Sequence, residues 1–473
     1  MARNSIGQGV LNNTVLLRNC ETYDRETIYR LIREGMSELG YWPSGRVFVK
    51  PNVVFSNPHL HKFGRTAYTN PALVGSALLA LSHTPGVRRV DLGENSAVGI
   101  PTRYAYTCAG FYQEMKAVKT RARAPVDIFC IDEEMRDRVF LGGKVHDTLR
   151  VARKMARADS MVYLPKLKCH CVSTITNAVK LNIGICSDDE RSIRHDFLLN
   201  DKIVDLLSVG WPDFIVTDAI DVGVGNEAFP VPRRLGLLIM GRNPMAVDIV
   251  AARLLGYVMD DVPYLKRAVE RGYGPAGLSE ITLRGDITTV DGLDARAERI
   301  RPYDDEYTRW QDLPKELTRL GSPLRFYWGS YRRNAKEKCG TGCLMGLKMF
   351  LGFIEHYAGA AAFPKGKPAV LVIGRVEEPI DARGQDVFLI GTCASAPVSH
   401  AGQIRRLDKC FVTASDMTQF IWPFLGLPFV FKDFKQVGPY AKGLLTAAVM
   451  KTIHLRYAQD VANFLYQGLV RKI

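Results

Sequence analysis

Three neighbouring stretches decide the fold of this chain: VFVKP at residues 47–51, PALVGSALLAL at residues 71–81 and VRRVDLGEN at residues 87–95. The first and third are typical of short strands, and the second has the periodicity of an apolar helix that begins at a proline. A strand, a loop, a helix and a second strand in this order are typical of a βαβ unit. The chain is therefore predicted to be an α/β protein with a mostly parallel sheet.

The same alternation continues to about residue 260. It predicts helices over residues 148–157, 173–181 and 245–255, and strands over residues 160–164, 214–218 and 236–240. Around residues 281–320 the apolar periodicity fades and charged residues accumulate, which indicates a boundary. We predict a main α/β domain over residues 1–300, with its core in residues 45–260, and a smaller mixed α/β domain over residues 301–473.

The second domain has its own series of predicted elements. They are a helix over residues 344–357, strands over residues 369–373, 387–390 and 411–413, and a closing amphipathic helix over residues 444–469.

The composition favours a small anionic partner. Of the 473 residues, 47% are hydrophobic and 24% are charged, as in ordinary globular proteins, and the formal net charge is +14. No arginine-rich tail, zinc-finger spacing or aromatic RNA-binding motif accompanies this charge, so nucleic acid is an unlikely partner. No segment has the pattern of a signal peptide, and Lys348, Glu355 and His356 interrupt the most apolar stretch. A cytoplasmic protein without a membrane partner is expected.

Four cysteines in the last third of the chain are the clearest candidates for a metal site. Cys339 and Cys343 lie in KCGTGCLMG, Cys393 lies in IGTCAS, and Cys410 lies in DKCFV. Thiolates are soft ligands, and four of them together suit an iron–sulfur cluster or a structural zinc ion. The chain has ten cysteines and no export signal, which favours reduced thiols over disulfides.

Polar side chains follow several predicted strands where those strands end. Ligands of open α/β sheets bind in the crevice beyond the carboxyl ends of the strands, so these residues are expected to converge. They are Lys50, Asn52, Glu94, Lys166, Lys168, His170 and Asp218. Lys180 closes the segment KLKCHCVSTITNAVK, in which lysines beside a predicted helix N-terminus would form a cradle for a carboxylate or phosphate.

Arg191 and His195 in DDERSIRHDF form a second candidate pair. A histidine with a pKa near neutrality could protonate a substrate while arginine holds an anionic group. An exposed charged helix or loop is the alternative interpretation. The loop DVGVGNE lacks the following helix of a dinucleotide fingerprint, and the G-x-S-x-G, H-E-x-x-H and Walker motifs are absent.

Six stretches of this sequence resemble a known family. They are FVKPNVV, TNPALV, LGENS, LPKLKCHCVSTITNAVKLNIG, VTDAID and IMGRNPMAVDIVAARLLGY, and they resemble the domain-of-unknown-function family 362 over roughly residues 45–260. The resemblance implies cysteine-ligated iron–sulfur centres, often in a ferredoxin-like double-cluster module, and a redox role. This chain lacks the C-x2-C-x2-C-x3-C run, so its dispersed cysteines imply one cluster.

The leading hypothesis is an iron–sulfur-dependent oxidoreductase, a reductase that acts on a small anionic metabolite in a pocket between the domains. One [4Fe–4S] cluster on Cys339, Cys343, Cys393 and Cys410 would receive electrons from a donor protein; a flavin relay is possible but no motif supports it. Catalysis is assigned to Lys168, His170 and His195. Substrate binding is assigned to Lys50, Asn52, Glu94, Lys166, Lys180, Arg191 and Asp218. The alternatives are a non-redox isomerase or epimerase with a structural cluster, and a zinc-stabilised protein that binds anions or nucleic acid.

Overall fold

The computed structural model describes residues 12–54, 56, 66–170, 172–195, 197–225, 227–228, 230–300, 312–332, 338, 342–410, 412–428 and 434–470. Up to residue 285 its strands are β1 (Thr14–Asn19), β2 (Gly45–Pro51), β3 (Val87–Glu94), β4 (Val126–Cys130), β5 (Arg136–Phe140), β6 (Thr148–Ala152), β7 (Ser160–Leu164), β8 (Lys166–His170), β9 (Thr174–Thr176), β10 (Phe214–Val224), β11 (Val231–Gly241) and β12 (Thr282–Gly285). The helices up to residue 297 are α1 (Arg25–Glu38), α2 (Pro71–Ser82), α3 (Thr102–Cys108), α4 (Phe111–Arg121), α5 (Arg153–Ala156), α6 (Asp188–Ser192), α7 (Leu199–Leu206), α8 (Pro244–Leu254), α9 (Pro263–Glu270) and α10 (Val290–Ala297).

A ten-stranded sheet organises this part of the chain. Its order is β12-β1-β11-β10-β7-β2-β3-β4, with β8 paired to β10 and β9 paired to β8. The neighbours from β10 to β4 are parallel, whereas β11 runs antiparallel to both β1 and β10. Helices α1, α2 and α4 cover one face, and α7, α8 and α9 cover the other. The predicted α/β class with a mostly parallel sheet is confirmed.

The βαβ unit that decides the fold forms as predicted from β2, α2 and β3. Helix α2 begins at Pro71, and the side chain of Asn70 accepts a hydrogen bond from the backbone N–H of Ala72, which caps the helix. Nearly the whole of α2 is buried, in keeping with its uninterrupted apolar sequence.

Two predicted helices of this domain are wrong. The stretch 148–157 forms β6 and the single-turn α5, because β6 pairs antiparallel with β5 and its apolar side chains Leu149 and Val151 are buried. The stretch 173–181 forms β9, which folds back on β8, and a 3₁₀ helix at Lys180–Ile185. The run STIT at residues 173–176 has three β-branched residues, which favour a strand over a helix.

Beyond residue 300, the described residues form a second, smaller sheet and six helices. The strands are β13 (Leu324–Trp328), β14 (Ala369–Arg375), β15 (Ile380–Asp381), β16 (Asp386–Ser395), β17 (Val398–Ser399) and β18 (Ile404–Leu407). The helices are α11 (Leu313–Arg319), α12 (Cys343–Ala358), α13 (Ala414–Phe420), α14 (Trp422–Leu425), α15 (Phe434–Ile453) and α16 (Arg456–Val470). Strands β13, β14, β16 and β18 form a parallel sheet in that order, and α12 covers one of its faces with Leu347, Phe350 and Leu351.

Two further sequence predictions for this part are wrong. No strand covers 412–413, because Thr413 instead caps α13 through its side chain; Phe411 lies outside the described residues. The single helix predicted over 444–469 is two helices, α15 and α16, separated near Leu455, whose φ is +55°. Both helices contact the first domain. The predicted domain limits at 300 and 301 stay a prediction.

Candidate functional site

Lys50 and Glu94 form a buried ion pair at the carboxyl ends of β2 and β3. Their N–O distance is 2.5 Å, and both side chains are almost completely excluded from solvent. Glu94 also accepts hydrogen bonds from the backbone N–H groups of Val53, at 3.0 Å, and Asn95, at 2.8 Å. Burial lowers the pKa of Lys50, and the nearby Glu94 opposes that shift. Lys50 and Glu94 therefore compensate each other's charge inside the protein.

A second buried ion pair joins Lys166 on β8 to Asp218 on β10. The two charged groups are 3.0 Å apart, and the strands carry these residues side by side in register. Tyr23 donates its hydroxyl hydrogen to Asp218 at 2.9 Å, and the backbone N–H of Asn70 donates to the other carboxylate oxygen at 2.9 Å. Tyr23 also lies 3.0 Å from the Lys166 amine. Asp218 lies inside β10, which continues beyond the predicted strand end to Val224.

Lys168 lies two residues beyond Lys166, on the same face of β8, and is equally buried. Among the described residues its amine donates to two backbone carbonyl oxygens, those of Ala67 at 2.6 Å and Glu227 at 2.9 Å. Burial lowers the pKa of Lys168 to about 7, and the positive charges of Lys180 and Lys166 act in the same direction. The charge of this lysine therefore changes near neutral pH.

His170 ends β8 on the same face and is held in one tautomer. Its Nδ1 accepts hydrogen bonds from the backbone N–H groups of Val172, at 3.1 Å, and Ser173, at 3.2 Å. In the neutral ring the proton then lies on Nε2, which is 3.6 Å from the Glu227 carboxylate. The ring is thus oriented by the β8–β9 turn on one side and by Glu227 on the other.

The hairpin β8–β9, and not a helix N-terminus, forms the floor of the site. Thr176 lies opposite Lys168 in this hairpin. Three buried side-chain oxygens here have no hydrogen-bond partner in the described part of the chain: Asn52 Oδ1, Ser173 Oγ and Thr176 Oγ1. Buried polar atoms are rarely left without partners, so these oxygens are candidates for contacts with a polar ligand.

The structure brings the second candidate pair to the same region. Arg191 is buried and donates to the backbone carbonyl oxygens of Ser96 and of Asn95, the latter at 2.6 Å. His195 is buried, and Lys180 is half-buried; the charge of Lys180 contributes to lowering the pKa of both His195 and His170. The interpretation of Arg191 and His195 as an exposed charged segment is therefore wrong, since both side chains are buried.

A histidine with a pKa near neutrality was expected to donate the proton, and this expected pKa is also wrong. Burial lowers the pKa of His170 to about 3 and that of His195 well below its ordinary value. Neither ring is protonated at neutral pH, whereas Lys168 changes its charge there. The catalytic roles assigned to these three residues, and the binding roles assigned to their neighbours, stay predictions.

Helix α12 of the second domain reaches this site. Lys348 is buried, and its positive charge contributes to the lowered pKa of His170. Met349 and Phe353 of the same helix pack on Ala228, which follows β10 in the first domain. The site therefore lies between the first sheet and α12, where the two parts of the chain meet.

The N-terminal end of α12 lies in a region that we call the cysteine corner, defined by Cys343, Cys393 and Cys410. A Cβ atom at Gly391 would lie 3.0 Å from Cys343 Sγ and 3.9 Å from the carbonyl oxygen of Lys409, the residue before Cys410. Gly391 lies two residues before Cys393 and has a φ of +108°. The start of α12, the end of β16 and the segment after β18 therefore meet at one point.

Cys339 lies outside the described residues, but its neighbour Lys338 is placed. Lys338 forms a β-bridge with Ser330, which also bridges to Arg375 at the end of β14. Arg375 in turn pairs with Ser395 on β16. Within the described part of the chain, no three His, Cys, Asp or Glu side chains are arranged so that they could hold one metal ion.

Sequence reasoning missed Glu227 and Lys348 as site residues. Glu227 follows the glycine-rich stretch DVGVGN after β10, and this position beyond a strand end was the signal that could have found it. Lys348 is a lone cation within the apolar helix α12. A lone cation at a buried helix position needs a polar environment, which was the available signal.

One family and one curated relative are similar to parts of this chain. Residues 47–253 match the family described as Domain of unknown function (DUF362). A thylakoid-associated protein of Synechocystis sp. (strain ATCC 27184 / PCC 6803 / Kazusa) is 24% identical over 287 residues, which cover 57% of this chain and 82% of that protein. No helix of the described residues is long and apolar enough to cross a membrane.

A solved structure, the lactate racemase apoprotein from Thermoanaerobacterium thermosaccharolyticum, is 15% identical with a TM-score of 0.31. The match covers 50% of this chain and 56% of the racemase, which is little more than half of its length. A likeness this low has no bearing on function. The family match confirms the resemblance seen in the sequence: residues 47–253 of the chain are similar to the domain-of-unknown-function family 362.

Proposed function

We propose that the protein is an iron–sulfur-dependent reductase that acts on a small anionic metabolite between the first sheet and α12. The observation that supports this proposal is the course of α12, which begins at Cys343 in the cysteine corner, packs on Ala228 after β10 of the first sheet, and has Lys348 close enough for its charge to lower the pKa of His170. Cys343 and Lys348 are five positions apart, or about 7.5 Å along the helix axis. A redox centre in the cysteine corner would thus lie close to the site between the first sheet and α12.

Two features of the cysteine corner support a thiolate-bound cluster, although its three described cysteines are not arranged to hold a single metal ion. Cys343 is the first residue of α12, where the helix dipole and backbone N–H groups favour the thiolate. Gly391 leaves open the space beside its sulfur that any other side chain would fill. Cys339, Cys343, Cys393 and Cys410 would hold one [4Fe–4S] cluster, which supplies single electrons when it is bound.

The site between the first sheet and α12 has polar groups that could bind an anionic substrate. The amine of Lys168 and the unpartnered oxygens of Ser173 and Thr176 would bind a carboxylic acid or a neighbouring polar group. Fixed positive charge stabilises the negative charge that builds on a carbonyl or conjugated double bond during reduction. Lys168, with its pKa near 7, would donate a proton at the carbonyl oxygen or carbon, and Glu227 would keep the His170 ring oriented.

The metal content of anaerobically purified protein tests the proposal. Cys393→Ala and Cys410→Ala should each lose the broad visible absorbance and most of the iron and sulfide. Cys108→Ala, a half-buried cysteine on α3, is the matched control and should retain both. Undiminished iron and sulfide in the two variants would remove those residues from the ligand set, and zinc in place of iron would favour the zinc-stabilised binding protein.

A non-redox isomerase or epimerase is a second candidate, favoured by the pKa of Lys168 near 7, because such an amine can both give and take a proton. Exchange of carbon-bound hydrogen with deuterium from D2O separates the two functions. An isomerase should catalyse this exchange in small carboxylic acids equally well with the cluster oxidised or reduced. A reductase should consume one substrate only when electrons are supplied.

A further inference from the structure

The last two helices expose apolar side chains along one side. On α15 these include Leu445, Val449 and Ile453, at four-residue intervals, and on α16 they include Val461, Phe464 and Leu465. Leu445 is 70% exposed, Ile453 63% and Phe464 76%. Residues three and four apart share one face of a helix, so each helix presents a continuous apolar stripe to solvent. We call the two stripes together the apolar face.

The opposite sides of the two helices bind the first domain through polar groups. Arg136 pairs with Asp460 on α16 at 2.9 Å, and its backbone carbonyl oxygen accepts a hydrogen bond from Gln459 at 2.6 Å. On α15, Lys451 pairs with Asp132. Amphipathic helices of globular proteins normally turn their apolar side inward. Here α16 turns its polar side inward and its apolar side to solvent. Rotating α16 about its axis to bury the apolar side would break the contacts of Arg136 with Asp460 and Gln459.

Charge favours an acidic surface as the occupant of the apolar face. Residues 434–473 contain six lysines and arginines and a single acidic residue, Asp460. Asp460 pairs with Arg136 and Arg456, while Lys442 of α15 is exposed. A second copy of the chain would bring the same positive charge, since the net charge of each copy is +14. Anionic lipid headgroups are attracted by that charge.

We propose that α15 and α16 lie on an anionic lipid surface, with the apolar face inserted among the headgroups and Lys442 beside them. Helices with apolar residues on one face and cations nearby bind in this way, parallel to the membrane plane. The absence of a membrane partner was expected from the sequence because charged residues interrupt its most apolar stretch, and a helix on the membrane surface needs no segment that crosses the bilayer. The proposal does not depend on the reaction that the protein catalyses.

Co-sedimentation of the full-length protein with vesicles tests this proposal. The natural protein should bind vesicles of phosphatidylglycerol and phosphatidylcholine, and added salt or the use of phosphatidylcholine alone should weaken binding. The combined variant Leu445→Gln/Ile453→Gln/Phe464→Gln should bind at least about tenfold more weakly. Trp42→Gln is the matched control, because Trp42 is also exposed but lies in the first domain.

Lys442→Glu gives a separate measurement, since it alters the charge and keeps the apolar face. It should weaken binding to the acidic vesicles and make the remaining binding less sensitive to salt. No vesicle binding by the natural protein, or equal binding by the combined variant, would overturn the proposal. A dimer that the combined variant dissociates, without any vesicle binding, would overturn it in favour of an interface between copies.

Discussion

The edge of the first sheet holds two regions of buried charge that are built differently. In the first, Lys50 pairs with Glu94 and Lys166 pairs with Asp218. In the second, Lys168 donates to backbone carbonyl oxygens. Lys166 and Lys168 are two residues apart on one strand and are equally excluded from water. The difference therefore comes from their partners and not from burial.

This difference in partners indicates which of the two regions can bind a charged ligand. A buried lysine beside a buried carboxylate has its charge compensated, so a substrate would have to compete with that carboxylate. Lys168 donates to neutral carbonyl groups, and the charge of Glu227 opposes the effect of burial on its pKa only in part. When it is protonated, Lys168 therefore has a charge that an anionic ligand can compensate. The paired region then supports the sheet edge, and the Lys168 region is the part suited to binding and proton transfer.

The largest effect is expected from breaking a buried pair. Lys166→Met should lower the free energy of unfolding by about 3–5 kcal/mol, because it leaves Asp218 buried without a cation. Urea unfolding of the natural protein and the variant, followed by circular dichroism, measures this difference.

A double variant shows whether the loss comes from the unpaired charge. Lys166→Met/Asp218→Leu removes both charges and should be less destabilised than the two single changes together, by about 0.5–3 kcal/mol. A double variant that shows the full additive loss would mean that the two residues contribute independently of each other. The comparison between the two regions would then fail.

The sequence indicated where both regions lie but not how their charges are arranged. Lys50, Glu94, Lys166 and Asp218 follow or occupy strands of one parallel sheet, so their common edge could be predicted. The pairing could not, because Lys50 and Glu94 are 44 positions apart and only the order and register of the strands bring them together. Helix α12 shows the same limit: Lys348 interrupts an apolar stretch, and only the packing of the domains places it near His170.

The histidines were misjudged for a related reason. A histidine in a loop is expected to have a pKa near neutrality, and burial is a property of the folded chain that its sequence position does not reveal. Once His170 and His195 are buried among Lys180 and other cations, both become neutral. Strand β9 was predicted to be part of a helix because the run TITNAVKL contains both strand-forming and helix-forming residues.

A smaller, pH-dependent effect is expected from Lys168. The pKa of Lys168 is about 7 in the folded protein and about 10.4 in an unfolded chain, so between these values the unfolded state binds more protons. The stability of the natural protein relative to Lys168→Met should therefore rise with pH through this window, by at most about 1.4 kcal/mol per pH unit. The cost of the buried charge is fully present below pH 7.

Urea unfolding of both proteins at a series of pH values from 6 to 10 measures this slope. Lys168→Arg is the contrasting variant, since arginine stays charged throughout the range and should show no such relief at high pH. A constant difference in stability between the natural protein and Lys168→Met would show that Lys168 keeps its charge throughout. The second region would then be no more responsive than the first.

The smallest effect is expected from the ion pair of Asp221, which lies three residues after Asp218 on β10. Comparing this partly exposed pair with the buried Lys166–Asp218 pair separates the effect of burial from that of distance. Asp221 pairs with Arg234 of β11 at 2.5 Å, as close as Lys50 and Glu94, but the Arg234 side chain is 48% exposed. Water already stabilises both charges, so Arg234→Ala should cost only about 0.2–1 kcal/mol. Equal losses from Arg234→Ala and Lys166→Met in urea unfolding would mean that distance alone sets the strength of these pairs. A loss several times smaller for Arg234→Ala would show that exclusion of water makes the Lys166–Asp218 pair important for stability. In Lys166→Met the Asp218 carboxylate stays buried, and water cannot solvate its charge.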